Sequence, residues 1–256
     1  MRSLYIGATG MLAQQTNVDV ISNNIANMNT TAYTRRRAEF NDLLYQNIVR
    51  PGSQSSASQT VVPSGLQLGL GVRTAAVYRI TEGSGLINTT NTLDVAIQGR
   101  GYFQIELPEG KGTAYTRDGA FQRNGDGVIV THDGYVVQPE ITIPDDAVEV
   151  YINNSGEVWV KQDGETDEIN VGQLELATFV NEAGLEAMGQ NLFLETEASG
   201  APNVDNPDTE GFGSILQGYL ETSNVNAVSE ITELVSAQRA YEMNSKIITI
   251  SDQMLT

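Results

Sequence analysis

Two segments with a seven-residue apolar repeat lie at opposite ends of this chain, and they constrain its fold more than any other feature. Near the N-terminus the repeat consists of Leu4, Met11, Val18 and Ile25. Near the C-terminus it consists of Ala227, Leu234, Tyr241, Ile248 and Leu255. A seven-residue repeat aligns side chains along one face of an α-helix. Because a helix gains most of its stability by packing such a face, both ends are predicted to be helices that need partners.

The N-terminal helix is predicted over about residues 3–28, with Ser3 as its N-cap because a serine hydroxyl accepts a hydrogen bond from an early backbone N–H. A companion column also repeats every seven residues, and six of the eight positions in the two columns are apolar. Its members are Gly7, Gln14, Ile21 and Met28. This pattern predicts a coiled-coil-like seam with two weak positions, Gly7 and Gln14.

Amide side chains crowd the end of this helix at Asn23, Asn24 and Asn27. Asparagine is a poor residue for a helix interior because its amide competes for backbone hydrogen bonds. A polar group in a packed helix interface, however, fixes register and partner at some cost in stability. We expect these amides either to set register against neighbouring subunits or to face water, and the residues alone leave both open.

The C-terminal helix is predicted over about residues 226–256, with Asn224 and Asn226 as candidate caps. Its apolar surface is broad, because a further apolar column lies beside the first one. A companion column, by contrast, becomes polar toward the C-terminus. The companion column is Ile231, Gln238, Ser245 and Asp252, and the further one is Ala240, Ile247 and Met254. A helix of this kind suits more than one neighbour. Since the apolar repeat still continues at residue 256, the end of this helix is expected to continue in a tail or to be ordered by partners.

Between the helices the apolar period changes to two, which is typical of strands. The alternating segments are 73–80, 92–99, 101–107, 113–117, 127–139, 147–164 and 172–180. Turn sequences separate them, with glycine at 125, 127, 134, 156 and 164 after Asn, Asp or Ser. This region predicts an antiparallel β domain.

The segment 51–65 is polar, small and bounded by Pro51 and Pro63. It suits either a flexible linker or a β-ribbon that lies on another surface. The predicted fold is therefore α+β, with a coiled-coil-like bundle of terminal helices and a central antiparallel β-rich domain. Its predicted parts are an N-terminal helix at 1–34, an extended linker or ribbon at 35–71, the β-rich domain at 72–221, and a C-terminal helix at 222–256.

Charge and composition exclude several classes of function. Residues 82–221 hold 25 acidic and five basic residues, so this region would repel nucleic acid and anionic membranes. The basic exception is Arg35, Arg36 and Arg37, which suits either a solvated turn or a dock for an acidic neighbour. The chain has no cysteine and one histidine, which excludes disulfides and multi-histidine metal sites. No apolar run has the length of a membrane span, and no cleavable signal peptide is expected.

The segment "SNNIANMNTTAYTRRRAEF" (22–40) resembles the N-terminal signature of the flagellar basal-body rod and hook family. The resemblance continues over nearly the whole chain, in segments 93–105, 114–121, 216–226 and 238–248. Within the family, residues 43–73 resemble the insertion that marks distal rod subunits. Ala32 departs from the pattern, since the family often has glycine before the aromatic residue.

The resemblance implies a structural subunit without catalytic, cofactor or metal sites. It implies export through the flagellar type III apparatus without a cleaved signal, then helical polymerisation in the periplasm into a torque-transmitting shaft. The terminal helices would line the inside and the β domain the outside. Partners would be further copies, proximal rod proteins, hook protein, and periplasmic and outer-membrane ring proteins. Expected interface residues are Leu4, Met11, Val18, Ile21, Asn23, Asn24, Ile25, Asn27, Met28, Arg35, Arg36, Arg37, Pro51, Pro63, Leu234, Gln238, Tyr241 and Ile248.

Three alternatives stay open at this point. A hook or proximal rod subunit of the same family is the first. An enzyme using His132 with Asp133 and Ser155 is the second, although the chain lacks a Gly-x-Ser-x-Gly elbow and His132 fits a hairpin turn better. A calcium- or carbohydrate-binding β module using Asn124 and Asp126 is the third, although a tight turn explains that sequence better.

Overall fold

A computed structural model describes residues 2–51, 64–108, 112–164 and 167–254. A long helix at each end brackets a β-rich region, which confirms the α+β class. The elements are α1 (Arg2–Ala26), β1 (Arg36–Asp42), β2 (Tyr45–Val49), β3 (Leu66–Gly69), β4 (Val72–Arg79), β5 (Leu86–Asn88), β6 (Val95–Gln98), β7 (Tyr102–Glu106), β8 (Thr113–Thr116), β9 (Gln122–Arg123), β10 (Ile129–Val130), β11 (Val137–Gln138), β12 (Ala147–Ile152), β13 (Glu157–Gln162), β14 (Glu168–Gln173), β15 (Leu176–Thr178), β16 (Glu186–Gly189), β17 (Leu192–Leu194), β18 (Asn203–Asp205), β19 (Ser214–Gln217), β20 (Tyr219–Glu221) and α2 (Ala227–Gln253).

The described chain divides into two compact units. The first, which we call the helical unit, consists of the described residues of 1–26, 36–79 and 225–256. The second, the β-rich unit, consists of those of 27–35 and 80–224. The division differs from the predicted boundary at residue 72, because β4 pairs along its length with β1 and so belongs with the helices.

In the helical unit, α1 and α2 lie side by side and run antiparallel. Gly7 of α1 lies against Ile248 of α2, and Gly10 lies against Asn244. Helix α1 also packs against the β1–β4 pair. The helix begins at Arg2, so Ser3 lies inside it and the predicted N-cap is wrong. The helix ends at Ala26, before the predicted end at Met28.

The predicted ribbon is antiparallel and has two parts. β1 pairs with β4 from Arg36↔Arg79 to Asp42↔Val72, with one bulge at Glu39/Phe40. Beyond it β2 pairs with β3, and all five residues of β2 are exposed. The Asp42 carboxylate accepts a hydrogen bond from the Tyr45 hydroxyl and so raises the pKa of that tyrosine. Residues 52–63, which include Pro63, lie outside the described residues.

The β-rich unit is built from short antiparallel strands around an apolar core. Its largest sheet has the order β16-β17-β8-β7-β15-β18, with β11 also paired to β7. A second sheet has the order β12-β13-β14. The core is centred on fully buried residues such as Phe103, Ile105, Val158 and Leu176. Each alternating segment predicted from the sequence contains at least one of these strands.

The predicted turns are also observed. Gly127, Gly134, Gly156 and Gly164 all have positive φ, between 80° and 88°. Glycine adopts this backbone conformation without the steric cost that a side chain imposes. The positive φ values therefore agree with the turns predicted at these glycines.

Candidate subunit interface

The α1–α2 seam uses the seven-residue columns predicted from the sequence, one on each helix. On α1, Leu4, Met11, Val18 and Ile25 are half-buried, and Ile21 is buried. On α2, Leu234 and Ile248 are half-buried, whereas Tyr241 is 43% exposed. Both columns therefore contribute to packing inside one chain.

The companion column of α2, which becomes polar toward the C-terminus, faces solvent in the structure. Ile231, Gln238, Ser245 and Asp252 are all exposed. The buried or half-buried companions lie one residue earlier, at Glu230, Ala237, Asn244 and Ser251. Both sets fit the spacing of a helix face. The structure selects the other set because its mostly small or hydrogen-bonded side chains let α1 approach closely.

The close approach explains one of the two weak positions of the α1 repeat, Gly7, and also Gly10, which lies outside the two columns. A Cβ atom added to Gly7 would lie 2.9 Å from Cγ1 of Ile248. One added to Gly10 would lie 2.9 Å from Nδ2 of Asn244. Real Cβ contacts are longer, so glycine at these two positions permits the observed helix spacing.

Asn24 is the polar centre of the helical unit. Its side chain is only 2% exposed. Nδ2 donates to the Arg36 carbonyl oxygen at 2.8 Å and to Oε2 of Glu230 at 3.1 Å, while Oδ1 accepts from the Arg36 N–H at 2.9 Å. One amide thus joins α1, α2 and β1. The position of Asn24 answers the question left open by the sequence, because this amide bonds within its own chain.

Replacement of Asn24 by leucine is expected to lower the free energy of unfolding of the helical unit by about 2–4 kcal/mol. The substitution leaves a buried Glu230 carboxylate and two backbone groups of Arg36 with fewer partners, and an unsatisfied buried group costs about 1–3 kcal/mol. Urea unfolding followed by far-UV circular dichroism measures the change. The control is Ser22→Ala, at an exposed position of the same helix. Equal effects of the two substitutions would contradict the role of Asn24.

The other residues of the asparagine-rich segment occupy different environments. Asn23 is exposed and Asn27 half-buried, and Oδ1 of Asn27 accepts from the Thr30 hydroxyl at 3.2 Å. Met28 lies beyond α1 and is exposed. Ala32 has φ of +53°, a left-handed conformation in which glycine carries no steric cost. Since Ala32 is buried and its N–H donates to the Glu221 carbonyl at 2.8 Å, tertiary contacts hold this strained residue.

Of the two candidate caps of α2, only Asn226 acts as one. Its Oδ1 accepts from the backbone N–H groups of Val228 and Ser229. Asn224 instead ties two segments of the β-rich unit together: Oδ1 accepts from the Arg35 N–H at 2.6 Å, and Nδ2 donates to the Ile80 carbonyl at 2.9 Å.

Two arginines of the basic run and Pro51 present side chains to solvent. Arg36 and Arg37 are exposed on β1, and Pro51 is exposed after β2. Arg35 is half-buried, with its guanidinium 3.7 Å from the Glu82 carboxylate. Arg36 and Arg37 are therefore the exposed members of the basic run.

Arg117 organises the β-rich unit in a way that sequence reasoning missed. Its Nε lies 2.7 Å from Oε2 of Glu221, and both side chains are nearly inaccessible to solvent. Its NH1 and NH2 donate to the carbonyl groups of Gly101 and Gly99 at 3.1 and 3.0 Å. Oε1 of Glu221 also accepts from the Ser84 hydroxyl at 2.8 Å. Because these residues are scattered in sequence, no local pattern indicated the cluster.

The residues of the two alternative functions occupy turns. The His132 side chain is exposed and lies 3.4 Å from the adjacent Asp133 in a tight turn, as the hairpin interpretation predicted. Oδ1 of Asn124 accepts from the N–H groups of Asp126 and Val128, which makes that segment a hydrogen-bonded turn. Within the described residues no cluster of His, Asp and Glu is arranged to hold a metal. No helix there has the length and hydropathy of a membrane span.

Comparison with known proteins gives matches along the whole chain. Three family models match: Flagella basal body rod protein at residues 4–34, Flagellar hook protein FlgE/F/G D1 domain at 96–160, and Flagellar basal body rod FlgEFG protein C-terminal at 216–256. The flagellar basal-body rod protein FlgG of Caulobacter vibrioides is 59% identical over the full length of this chain and 97% of its own. The chain belongs to the flagellar basal-body rod family. FlgG of Agrobacterium fabrum is 55% identical over 99% of this chain and 97% of its own length, and that of Borreliella burgdorferi is 46% identical over 100% and 96%.

These full-length similarities confirm the predicted family and a structural, non-enzymatic role in the distal rod of the flagellar basal body. They favour the distal rod over the hook and proximal rod alternatives, since the three relatives named above are all flagellar basal-body rod proteins FlgG. The family assignment also removes the enzyme and the metal-binding module as explanations of the turns at His132 and Asn124.

Proposed function

We propose that this protein polymerises helically, after unfolded export into the periplasm without a cleaved signal, into the straight shaft that carries torque to the hook. Its terminal helices form a coiled-coil-like bundle with those of neighbouring copies and line the inside of the tube. Partners are proximal rod proteins, hook protein, the surrounding rings and the export apparatus.

The observation that carries this proposal is the second apolar face of α2. One face packs against α1, yet a further set of apolar side chains is exposed: Val228, Ile231, Val235, Met243, Ile247, Ile250 and Met254. An exposed apolar surface of this extent marks a protein–protein contact. A head-to-tail contact that does not close into a ring produces a helical filament, as the proposal requires.

The ribbon supports the same proposal. A lone two-stranded ribbon is marginally stable in water. Leu44, Tyr45, Ile48, Leu66 and Leu68 are nevertheless exposed on or beside β2 and β3. We infer that this ribbon, with Pro51, Pro63 and the basic run 35–37, lies on neighbouring copies and stiffens the tube.

Amide hydrogen exchange on the monomer tests whether the ends await partners. We expect the core strands of 80–224 to be protected, whereas α1 and α2 exchange much faster, because the helix pair has bare apolar faces until copies cover them. In isolated basal bodies both helices should become protected. Strong protection of both helices in a proven monomer would contradict ordering on assembly.

Removal of the gene from its own bacterium tests the function directly. We expect basal bodies without a distal rod and no swimming, both restored by the full chain. Electron cryo-microscopy of the isolated basal bodies shows the rod. A complete rod in the deletion strain would contradict the proposal.

A further inference from the structure

We propose that a groove of the helical unit, between α1 and β4, receives the C-terminal half of α2 from a second copy of the chain. The inference rests on the proposed polymer, and it specifies which two surfaces meet.

One wall of the groove is a stripe along α1 with alternating spacings of four and three residues. It consists of Tyr5, Thr9, Leu12, Thr16 and Asp19. The opposite wall is formed by Leu43, Val72, Arg73 and Thr74, and the space between them is about 520 Å³. The spacing of the stripe is that of a surface that packs against another helix. Leu12, in the middle of the stripe, is nevertheless 65% exposed.

The two walls of the groove are held together within one chain. The Val72 N–H donates to the Thr9 hydroxyl at 3.5 Å, and that hydroxyl donates to the Ile6 carbonyl at 2.9 Å. Gly71 contacts the Thr9 side chain so closely that a Cβ atom there would overlap it. The groove is therefore a fixed feature of the helical unit.

The matching surface is the end of α2 that faces away from the seam. Met243, Ile247, Ile250 and Met254 follow one another at spacings of four, three and four residues. They form one apolar stripe, on which Met243 is 61% and Met254 78% exposed. Burying a large apolar side chain is worth about 1.5–3 kcal/mol, so this stripe gains stability from a covering surface.

The direction of the two helices also indicates which parts of the groove and of α2 would meet. Within one chain, residues near Gly7 and Gly10 lie at the level of Ile248 and Asn244. Copies in a polymer keep this antiparallel direction. A neighbouring α2 in the groove then places Met243–Met254 against the apolar end of the groove at Tyr5 and Leu12.

Charge favours a second copy as the occupant. The helical unit contains eight basic and seven acidic residues, whereas the β-rich unit contains six and 25. Two β-rich units therefore repel one another, while two helical units approach without net repulsion. Self-association through the groove of the helical unit therefore avoids the net-charge repulsion that contact between two β-rich units would carry.

The cysteine-free chain permits a direct cross-linking test. Leu12→Cys and Ile247→Cys are made in separate copies, which are expressed together in place of the native chain. Isolated basal bodies are treated with a thiol cross-linker that spans about one helical turn, 5.4 Å. We expect a heterodimer of the two variants in the basal bodies and its loss in dilute monomer. The control replaces Ile247→Cys by Ser245→Cys, at an exposed position on the other side of α2, and should give no heterodimer with Leu12→Cys.

The outcomes distinguish a failure of the groove proposal from a failure of the proposed polymer. Normal rods without the Leu12–Ile247 heterodimer, or with Leu12→Cys joined to a different protein, overturn the groove and leave the polymer standing. Absence of rods from the unmodified chain overturns the proposed function itself. A further variant, Ile247→Asp, is expected to raise the concentration needed for polymerisation at least about tenfold, or about 1.4 kcal/mol per contact. Ser245→Asp should leave it unchanged, and equal effects of the two would count against the groove.

Discussion

Replacement of Arg117 by methionine is expected to lower the free energy of unfolding of the β-rich unit by about 3–5 kcal/mol, because it leaves the Glu221 carboxylate buried without its cation. The Glu221 side chain is 4% exposed, so water cannot replace the guanidinium. The substitution also removes donors from the Gly99 and Gly101 carbonyl groups. Such a loss is a large part of the stability of a typical domain.

The single tryptophan, Trp159 in β13, reports unfolding of this unit. Urea titration followed by Trp159 fluorescence gives the midpoint and slope for each variant. The matched control is Arg100→Met, which removes the Arg100–Glu182 ion pair at 3.1 Å. The Arg100 side chain is 63% exposed, and exposed pairs contribute about 0–1 kcal/mol. A loss for Arg117→Met no larger than for Arg100→Met would contradict the role of the buried cluster.

A double substitution, Arg117→Met with Glu221→Gln, extends the test. Since the second change removes the buried charge, part of the lost stability should return. Buried ion pairs replaced on both sides are often close to neutral, whereas removal of one partner is costly. No recovery in the double variant would show that the carbonyl contacts, rather than the charge of Glu221, dominate.

The elements that could be predicted from the sequence are those produced by residues close together in the chain. Seven-residue columns such as Leu4–Ile25 produce helices from spacing alone. Asn or Asp followed by glycine, as at Asp133–Gly134, produces turns because glycine accepts positive φ. Alternation over five or more residues, as in 101–107, produces strands whose inward side chains are buried.

The features that could not be predicted depend on residues far apart in the chain. Glu230 is buried where its carboxylate accepts a hydrogen bond from Asn24, which lies 206 residues away, so no local pattern predicts burial of this charged side chain. Short strands such as β5 and β18 have three residues each, too few for a period of two to be recognised. The β-rich unit excludes β4, although the predicted β-rich domain began at residue 72. The reason is that β4 makes its hydrogen bonds with β1, which lies in the helical unit.

The candidate interface shows the same limit. The sequence placed Leu234 and Ile248 on a packed helix face and left the environment of Asn24 open, and the structure buries or half-buries all three within one chain. The sequence could not show which face of α2 packs against α1 of the same chain. The structure shows that Met243, Ile247, Ile250 and Met254 are exposed, and on this we base the proposal that they meet a neighbour.

Replacement of Leu234 by aspartate is expected to abolish rod assembly while leaving the β-rich unit folded. Leu234 lies in the α1–α2 seam, one turn from the buried Glu230 carboxylate. A second carboxylate there repels the first and is itself partly desolvated, so the helix pair opens. Because every subunit carries the change, the loss repeats at each contact of the polymer.

Three measurements on the Leu234→Asp variant distinguish assembly from general misfolding. Electron microscopy of basal bodies should show no distal rod, and far-UV circular dichroism should show reduced helix. Trp159 fluorescence should give an unchanged urea midpoint, since that residue lies in the other unit. Ser245→Asp adds the same charge at an exposed position of α2 and should assemble normally. Normal rods from Leu234→Asp would show that the helix pair is not what holds the polymer together, and loss of the Trp159 transition would show that the two units do not fold independently.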